Sequence, residues 1–425
     1  MDLASKLFKG DRVIWIIFMF LCLISVVEMF SASSTITYKA ANYWAPVVKH
    51  ASFLFVGFIL ILLIHNIPYR FFSALIIVLP ISMVLLVLTP MMGVYANNSY
   101  RFMEIMGIQF QPSELAKLSL IVFISFLMSK RSRFSEDNIF KYSLIAMCIT
   151  CVLILPENFS TAFMLFAVCF LLLFIGQVPF LKLLKLGGGL LLIGVLLFLF
   201  FHFMPEGVEE KLPKRFSTWR ARIERFSQPE EAIEISAKTG YKIPDDIFQE
   251  THAKIAIAKG GVFGKMPGHG QQRDFLPQAY SDFIYAIIIE ELGMVGGLFV
   301  LLLYIMLLVR GGMIARRCEK PFAKYLVLGC TLVVVVQAFA NMAVAVDLIP
   351  VTGQPLPLIS RGGTSILITC IYIGIILSIS RFGANIGNEE DVLPEEKEVD
   401  NVLSEEEMQS VLASVEVETI EEANI

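Results

Sequence analysis

The sequence predicts an all-α polytopic membrane protein with ten transmembrane helices and one large external loop between helices seven and eight. The first observation is composition: 56% of the 425 residues are hydrophobic, 17% are charged, and mean hydropathy is +0.72. A water-soluble domain of this length could not bury so much apolar matter. The second observation is a series of apolar runs, each near the roughly 20 residues that a helix needs to cross a bilayer. The ten runs are 13–33, 46–65, 71–90, 113–129, 140–155, 161–178, 186–204, 282–309, 324–346 and 363–381.

The seven cysteines indicate neither a disulfide framework nor a zinc site. Six of them lie inside apolar runs, and Cys148 and Cys151, although spaced as CxxC, belong to one predicted helix. We interpret them as small buried hydrophobic residues. The sequence nominates no metal ligands.

Basic residues in the short connections predict the orientation of the chain. Lys and Arg are enriched in cytoplasmic loops, and counted on alternate sides of the ten runs they number 16 on one side and 4 on the other. Both termini are therefore predicted to be cytoplasmic, and the long segment 205–280 is predicted to be external.

Two helical patterns occur in the external segment 205–280. Apolar side chains at helical spacing, interleaved with arginines, predict an amphipathic helix in the headgroup plane; they are Phe216, Trp219, Ile223 and Phe226. A second helix is predicted from about Gln249 to Lys259, with Gly260 and Gly261 as a plausible C-cap.

Charge divides the chain into two parts, a membrane domain at 1–387 and a tail at 388–425. The tail holds 14 acidic residues and one lysine, too much charge and too few aromatic residues to fold alone. We predict a disordered cytoplasmic tail; the alternative is a short helix that starts near Ser404 on a partner. Neither the acidic tail nor the basic remainder has the character of a nucleic-acid binder.

Ionisable groups are costly at membrane depth and so mark candidate sites; four polar clusters qualify on the predicted external side. The first is a loop and helix start that carry Arg101, Glu114 and Lys117. Pro112 suits the first helical turn, and Glu114 and Lys117 are three residues apart on one face. Either Glu114 caps the helix and pairs with Lys117, or the pair and Arg101 hold an anionic headgroup. We favour the headgroup.

The second cluster, 155–162, is a polar break between runs five and six that contains Glu157 and Asn158. An ordinary external turn and a ligand site are equally consistent with it.

The third cluster is a glycine-rich loop at 260–270 that contains Lys265, followed by Asp282 at the head of run eight. Closely spaced glycines let backbone N–H groups approach an anion, and Asp282 is either a carboxylate beside a lipid headgroup or a helix cap.

The fourth cluster is the proline-rich segment 350–365. Three prolines stiffen it, and Gly362 and Gly363 open the last span with free N–H groups beside Ser360 and Arg361, an arrangement suited to phosphate. The alternative is a rigid re-entrant plug without a ligand.

These clusters resemble, in order and wording, the SEDS family (shape, elongation, division and sporulation). The matching motifs are FQPSELAKL at 110–118, AKGGVFGKMPG at 258–268, SDFIYAIIIEELG at 281–293 and PVTGQPLPLISRGGTS at 350–365. The resemblance covers residues 10 to about 385, and the motif QPSELAK is similar to the corresponding motif of the FtsW branch.

The resemblance implies a peptidoglycan glycosyltransferase of the bacterial cytoplasmic membrane that polymerises lipid II, with a class B penicillin-binding protein and other division proteins as partners. The family's catalytic carboxylate falls on Asp282. Its conserved Glu and Lys fall on Glu114 and Lys117, and its loop arginine falls on Arg101. No tightly bound cofactor is expected; Mg²⁺ would bind through the lipid pyrophosphate.

The sequence also departs from the family pattern. Tyr280 and Ser281 replace the usual His-Thr before the catalytic acid. Asn158 replaces the acid of a PDxGTA motif, and Glu157 is the residue before it. Arg361 replaces a common Tyr.

Three other functions stay open: a lipid II flippase, a non-catalytic division scaffold, and a RodA-like elongation polymerase. Polar clusters on one side of the membrane favour external chemistry over transport.

Overall fold

The computed structural model of the chain describes residues 8–32, 44–96, 99–105, 108–202, 248–276 and 281–382. Two predicted features lie outside these residues: the amphipathic helix near 216–226 and the acidic tail 388–425.

Helices dominate the described residues. In chain order they are α1 (Arg12–Ala32), α2 (Ala45–Ile64), α3 (Val78–Met92), α4 (Pro112–Ser129), α5 (Glu136–Ile154), α6 (Phe159–Ile175), α7 (Phe180–His202), α8 (Phe248–Gly260), α9 (Ile284–Arg317), α10 (Pro321–Ala345) and α11 (Thr364–Phe382). A 3₁₀ helix, Tyr69–Ile77, leads directly into α3, and a short one, Gln272–Asp274, follows α8.

Eight helical segments of the described chain are long and apolar enough to cross a membrane. They are α1, α2, the joined segment Tyr69–Met92, α4, α5, α9, α10 and α11; α6 is apolar but has 17 residues. The predicted helical membrane class is thus confirmed, while the count of ten spans remains a prediction. Helices suit this environment because they satisfy their own backbone polar groups where water is absent.

Local sequence explains where several of these helices begin. Pro112 occupies the first position of α4, as predicted, and Pro321 that of α10. The side chain of Ser135 accepts a hydrogen bond from the Asn138 amide at 3.3 Å and caps α5.

The centre of the bundle is formed by α4, α10 and α11. Most of α4 is buried inside the protein, whereas α2 keeps the greater part of its surface on the outside. Small residues allow the close helix crossings: a Cβ on Gly329 of α10 would lie 2.4 Å from Ile121 of α4, and one on Gly57 of α2 would lie 2.5 Å from Cys370 of α11.

The loop before α4 forms a small antiparallel sheet, which the sequence analysis treated as irregular. Its strands are β1 (Val94–Ala96), β2 (Ser99–Ile105) and β3 (Ile108–Phe110), in the order β1-β2-β3. Thr364 Oγ1 donates to Gln109 O at 3.2 Å, which places the sheet beside the first turn of α11. β1 and β3 have three residues each, too few for an alternating pattern, and the alternation in β2 breaks at Phe102 and Met103.

Helix α9 is interrupted at Gly293, where φ is +73° and ψ is −176°. The loop after α8 fills the interruption: the amides of Lys265 and Met266 donate to the carbonyls of Glu290 and Glu291 at 3.0 and 2.8 Å. On the other side of the break, the Met294 amide donates to Gly261 O at 3.0 Å. Non-helical backbone at membrane depth is tolerated where neighbouring groups satisfy it in this way.

Glycines make this close approach possible. A Cβ on Gly264 would lie 2.2 Å from Glu291 O, and one on Gly293 would lie 2.2 Å from Val262 O. The predicted end of α8 at Gly260 is confirmed, with Gly261 at φ +56°. The glycine-rich loop therefore serves a backbone contact with α9, and an anion-binding role for it remains a prediction.

Candidate active site

Asp282, the predicted catalytic carboxylate, lies two residues before the first residue of α9. Phe283 occupies the assigned N-cap position of that helix, and the choice between a catalytic carboxylate and a helix cap for Asp282 remains a prediction. Asp282 Oδ1 accepts a hydrogen bond from Ser281 Oγ at 2.9 Å, and the residue is partly exposed. A partly exposed carboxylate can accept a proton from a bound molecule, as a general base must.

The backbone around Asp282 is held by other parts of the chain. The first amides of α9 donate to Phe283 O, which leaves the carbonyls of Ser281 and Asp282 outside the helical ladder. Ser360 Oγ donates to Ser281 O at 2.6 Å, and Asn341 Nδ2 of α10 donates to Asp282 O at 2.9 Å. Side chains from two distant segments therefore fix the two carbonyls that precede the helix.

Residues 350–361, termed the proline loop below, connect the second cluster to Asp282. Asn341 Nδ2 also donates to Gln354 O at 2.8 Å, and Gln354 Nε2 donates to Thr161 Oγ1 at 2.7 Å. One turn away, Asn158 Oδ1 accepts from the Thr161 amide at 3.2 Å and caps α6. Asn158 is therefore a helix cap in the structure; Glu157, beside it, is buried at 4% exposure.

The proline loop also connects to Glu114 and Lys117. Lys117 Nζ lies 2.7 Å from Glu114 Oε1 and 3.4 Å from Gln337 Oε1 of α10, and Gln337 Nε2 donates to Pro355 O at 3.0 Å. Lys117 is fully buried and Glu114 is 6% exposed. The pairing that the sequence analysis named as the alternative is thus present, and a headgroup-binding role for the pair remains a prediction.

The end of the proline loop carries the remaining predicted phosphate-binding residues. Arg361, Gly362 and Gly363 are partly exposed, and Gly363 has φ +49°. Just before them, Ser25 Oγ of α1 donates to Ile359 O at 3.0 Å and lies 2.7 Å from His50 Nε2 of α2. Helices α1 and α2 thereby support the backbone next to Arg361.

Two predicted site residues are not joined to this network by the contacts described. Arg101 lies in β2, and its side chain is outside the described part of the structure. Lys265 lies beside the break in α9, with Nζ 3.3 Å from Glu290 Oε1.

Lys265 belongs to a second buried polar cluster. Glu290 and Glu291 are both fully buried. Glu290 Oε1 accepts from the Gln271 amide at 3.0 Å, and Glu291 Oε2 accepts from the Gly268 amide at 3.1 Å. Arg273 Nη1 lies 3.6 Å from Glu291 Oε1. These carboxylates hold the loop against α9.

Sequence reasoning also missed the uncharged polar residues of the network. Gln337, Asn341 and Gln354 connect Asp282, Lys117 and Thr161, yet they carry no charge and fall outside a search for ionisable groups. Gln337 and Asn341 are four residues apart in α10, so they share one helical face. Two amide side chains on one face of a transmembrane helix were the available signal.

The described ranges contain no group of three or more His, Cys, Asp or Glu side chains placed to hold a metal ion. Mg²⁺ prefers oxygen ligands and usually keeps several waters while it binds phosphate. Binding of Mg²⁺ through the lipid pyrophosphate therefore remains a prediction.

Comparison with solved structures supports the fold. A chain from a peptidoglycan synthase complex that coordinates polymerization and crosslinking superposes with TM-score 0.67 at 22% identity, covering 88% of this chain and 98% of that one. The rod shape determining protein RodA of Thermus thermophilus superposes with TM-score 0.61 at 21% identity, covering 88% and 97%.

Comparison with known sequences identifies the family. The probable peptidoglycan glycosyltransferase FtsW of Halomonas elongata is 32% identical over 373 residues, 84% of this chain and 87% of that protein. The corresponding protein of Geobacter sulfurreducens is 28% identical over 387 residues, 89% and 96%. Stage V sporulation protein E of Bacillus subtilis is 28% identical over 395 residues, 89% and 99%. The model of the FtsW/RodA/SpoVE family, described as cell cycle protein, matches residues 11–385, and the chain belongs to this family.

Proposed function

We propose that this protein is a peptidoglycan glycosyltransferase that polymerises lipid II into β-1,4 glycan strands on the external face of the cytoplasmic membrane during cell division. The observation that carries the proposal is the setting of Asp282, a partly exposed carboxylate whose local backbone is fixed by Asn341 and Ser360. The names of the relatives support the activity. Relatives that are named FtsW, together with the motif QPSELAK, favour a role in division over a RodA-like role in elongation.

The proposed reaction inverts one sugar centre. Lipid II carries its disaccharide in α linkage to a pyrophosphate, and the product linkage is β, so the acceptor 4-hydroxyl attacks the face opposite the pyrophosphate. Asp282 takes the hydroxyl proton as the new C–O bond forms and the bond to the pyrophosphate breaks. Fixing the base before the substrate arrives lowers the entropic part of the barrier.

Cations must stabilise the departing pyrophosphate. Arg101 and Arg361 are the proposed arginine contacts, because a guanidinium fits phosphate oxygens with paired N–H groups. The N–H groups of Gly362 and Gly363 would add donors at the start of α11. Lys117 is the third candidate from the sequence, but its complete burial beside Glu114 favours a structural pairing over contact with the leaving group.

The proposed protein partners are enzymes and other proteins of cell-wall synthesis. One structural relative comes from a peptidoglycan synthase complex, and we propose a class B penicillin-binding protein as the enzyme that crosslinks the strands made here, together with other division proteins. Both chain termini and the acidic tail are placed in the cytoplasm by this proposal. Mg²⁺, if it is required, would bind through the pyrophosphate.

Purified full-length protein in lipid bilayers, supplied with lipid II, tests the proposal. Glycan strands resolved by gel electrophoresis are the expected product, with and without a class B penicillin-binding protein. Movement of lipid II across the bilayer without polymer would identify a flippase, and neither result would identify a scaffold. Either of those two outcomes overturns the proposed function.

A further inference from the structure

We propose that Asn341 is a positioning residue for Asp282: its side-chain amide holds the peptide of the reacting residue and ties it to the proline loop. This inference rests on the proposed function. Asn341 lies near the end of α10, is 1% exposed, and is 59 residues from Asp282 in the sequence. It does not touch the carboxylate, so its effect on the reaction would pass through the backbone of Asp282.

The hydrogen bonds of Asn341 determine the orientation of its amide. Nδ2 donates one hydrogen to Asp282 O at 2.9 Å and the other to Gln354 O at 2.8 Å. A flipped amide would set Oδ1 against two carbonyl oxygens, so the two acceptors fix the assignment of nitrogen and oxygen. Serine and threonine have a single donor and could serve one of the two carbonyls, not both.

Burying the polar side chain of Asn341 costs free energy unless its polar atoms are hydrogen-bonded. Its Oδ1 is buried with no hydrogen-bond partner among the described residues, and an unsatisfied buried polar atom costs free energy. The two N–H bonds are what offset that cost in the structure. The role of Asn341 is therefore to hold the two carbonyls that accept these bonds.

The position of Asp282 in the chain explains why it needs such support. Its carbonyl precedes the first acceptor of α9, Phe283 O, so the helix does not hold it. On the other side, the Ser281 carbonyl is held by Ser360. Without Asn341, the Asp282 carbonyl loses this hydrogen bond, and a shift of about 1 Å in a reacting group can cost about 10²-fold in rate.

Asn341 also links the proposed base to the loop that carries the proposed phosphate site. The second carbonyl that it holds, that of Gln354, belongs to the proline loop, which ends in Arg361. One amide thus connects the residue that would accept the proton with the loop that would hold the leaving group. While the two bonds are in place, one side chain holds the carbonyls of Asp282 and Gln354 next to each other.

The test compares three variants of the full-length protein. Asn341→Leu keeps a similar shape and removes both donors, and Asn341→Ser keeps one donor. Tyr304→Phe is the matched control, because Tyr304 Oη donates to Pro357 O at 2.5 Å and its loss also strips one bond from the proline loop without touching Asp282. Glycan synthesis is measured as kcat and KM for lipid II, alongside the melting temperature.

We expect Asn341→Leu to lower kcat by about 10- to 100-fold with KM within about threefold, which is the effect of a misplaced catalytic group. Asn341→Ser should fall between it and the unmodified protein. Tyr304→Phe should lower the melting temperature but keep kcat within about threefold. If kcat follows the melting temperature in the same way for Asn341→Leu and Tyr304→Phe, Asn341 is only a packing residue and the inference is overturned.

Hydrogen exchange tests the same contact without using activity. Loss of the anchor should speed exchange of the amides of residues 283–287 by about tenfold or more in Asn341→Leu, because a local contact that holds them closed is gone, and should leave them unchanged in Tyr304→Phe. Unchanged exchange in Asn341→Leu overturns the inference even if lipid II is polymerised. If the unmodified protein makes no glycan, the proposed function fails by itself, while faster exchange would still establish the anchor.

Discussion

Lys117 Nζ lies 2.7 Å from Glu114 Oε1, in an ion pair whose lysine is completely buried within the helix bundle. The two residues are one turn apart near the start of α4, and the pair is connected through Gln337 to the proline loop. The sequence favoured a role for this lysine at a lipid pyrophosphate. The observed pair makes the two roles separable by experiment.

We expect Lys117→Met to lower the melting temperature, because removing one partner of a buried ion pair strands the other charge at a cost of about 3–5 kcal/mol. Adding Glu114→Gln in the same chain should restore stability. Since Lys117 is fully buried, we also expect the double variant to regain glycan synthesis. A double variant that folds normally but makes no glycan would contradict this expectation and return Lys117 to the pyrophosphate site.

The interruption of α9 predicts a strong dependence on Gly293. Its φ of +73° and ψ of −176° fall in a region that is essentially restricted to glycine, where other residues pay about 1–3 kcal/mol, and a Cβ would overlap Val262 O at 2.2 Å. Gly293→Ala should therefore lower the melting temperature by several degrees and reduce the yield of folded protein. Gly312→Ala is the control, since no atom lies within 4 Å of a Cβ on that glycine; it should leave the melting temperature unchanged or slightly higher. Equal effects of both changes would mean that the break is not a requirement of the fold.

The sequence predicts the local features of this protein better than its tertiary contacts. The helical membrane class, the start of α4 at Pro112 and the end of α8 at Gly260 follow from local rules of hydropathy and capping. The break at Gly293 does not, because a glycine inside an apolar run is compatible with a continuous helix. Only the partner loop, folded back from residues 261–266, makes the break favourable.

The candidate site was likewise predicted from the sequence only in part. Asp282 and the pair Glu114–Lys117 could be nominated because charge is rare in apolar runs. Their connection through Gln337, Asn341 and Gln354 is tertiary, formed by residues that are far apart in the chain and uncharged. A sequence gives the residue types for such a network, but the pairing of donors with acceptors depends on how the helices pack.

Orientation in the membrane is tested by labelling. The 16 to 4 asymmetry of basic residues predicts that a cysteine introduced at Gln228 reacts with a membrane-impermeant maleimide in intact cells, and that one at Glu405 reacts only after the cells are opened. The chain with its seven native cysteines provides the background signal to subtract. Labelling of Glu405 but not Gln228 in intact cells would invert the topology and remove the external site.

Asp282→Asn provides the sharpest test of the chemistry. Asparagine keeps the size of the side chain and an Oδ1 that can accept from Ser281 Oγ, so the local structure should survive. It cannot accept the proton of the acceptor hydroxyl, and losing a general base costs about 10²- to 10⁴-fold in rate. We expect a normal melting temperature and glycan synthesis reduced by at least about 100-fold.

The control for this change is Asp347→Asn at the same end of the bundle. Asp347 forms an exposed ion pair with Lys254, 2.6 Å apart, and exposed pairs contribute little to stability. Its positive φ of 63° is also one that asparagine adopts readily. This variant should polymerise lipid II at nearly the unmodified rate, so that a loss confined to Asp282→Asn reflects the chemistry of that one carboxylate. Near-normal synthesis by Asp282→Asn would instead show that the proton goes elsewhere, and Asp282 would then be a residue of the fold.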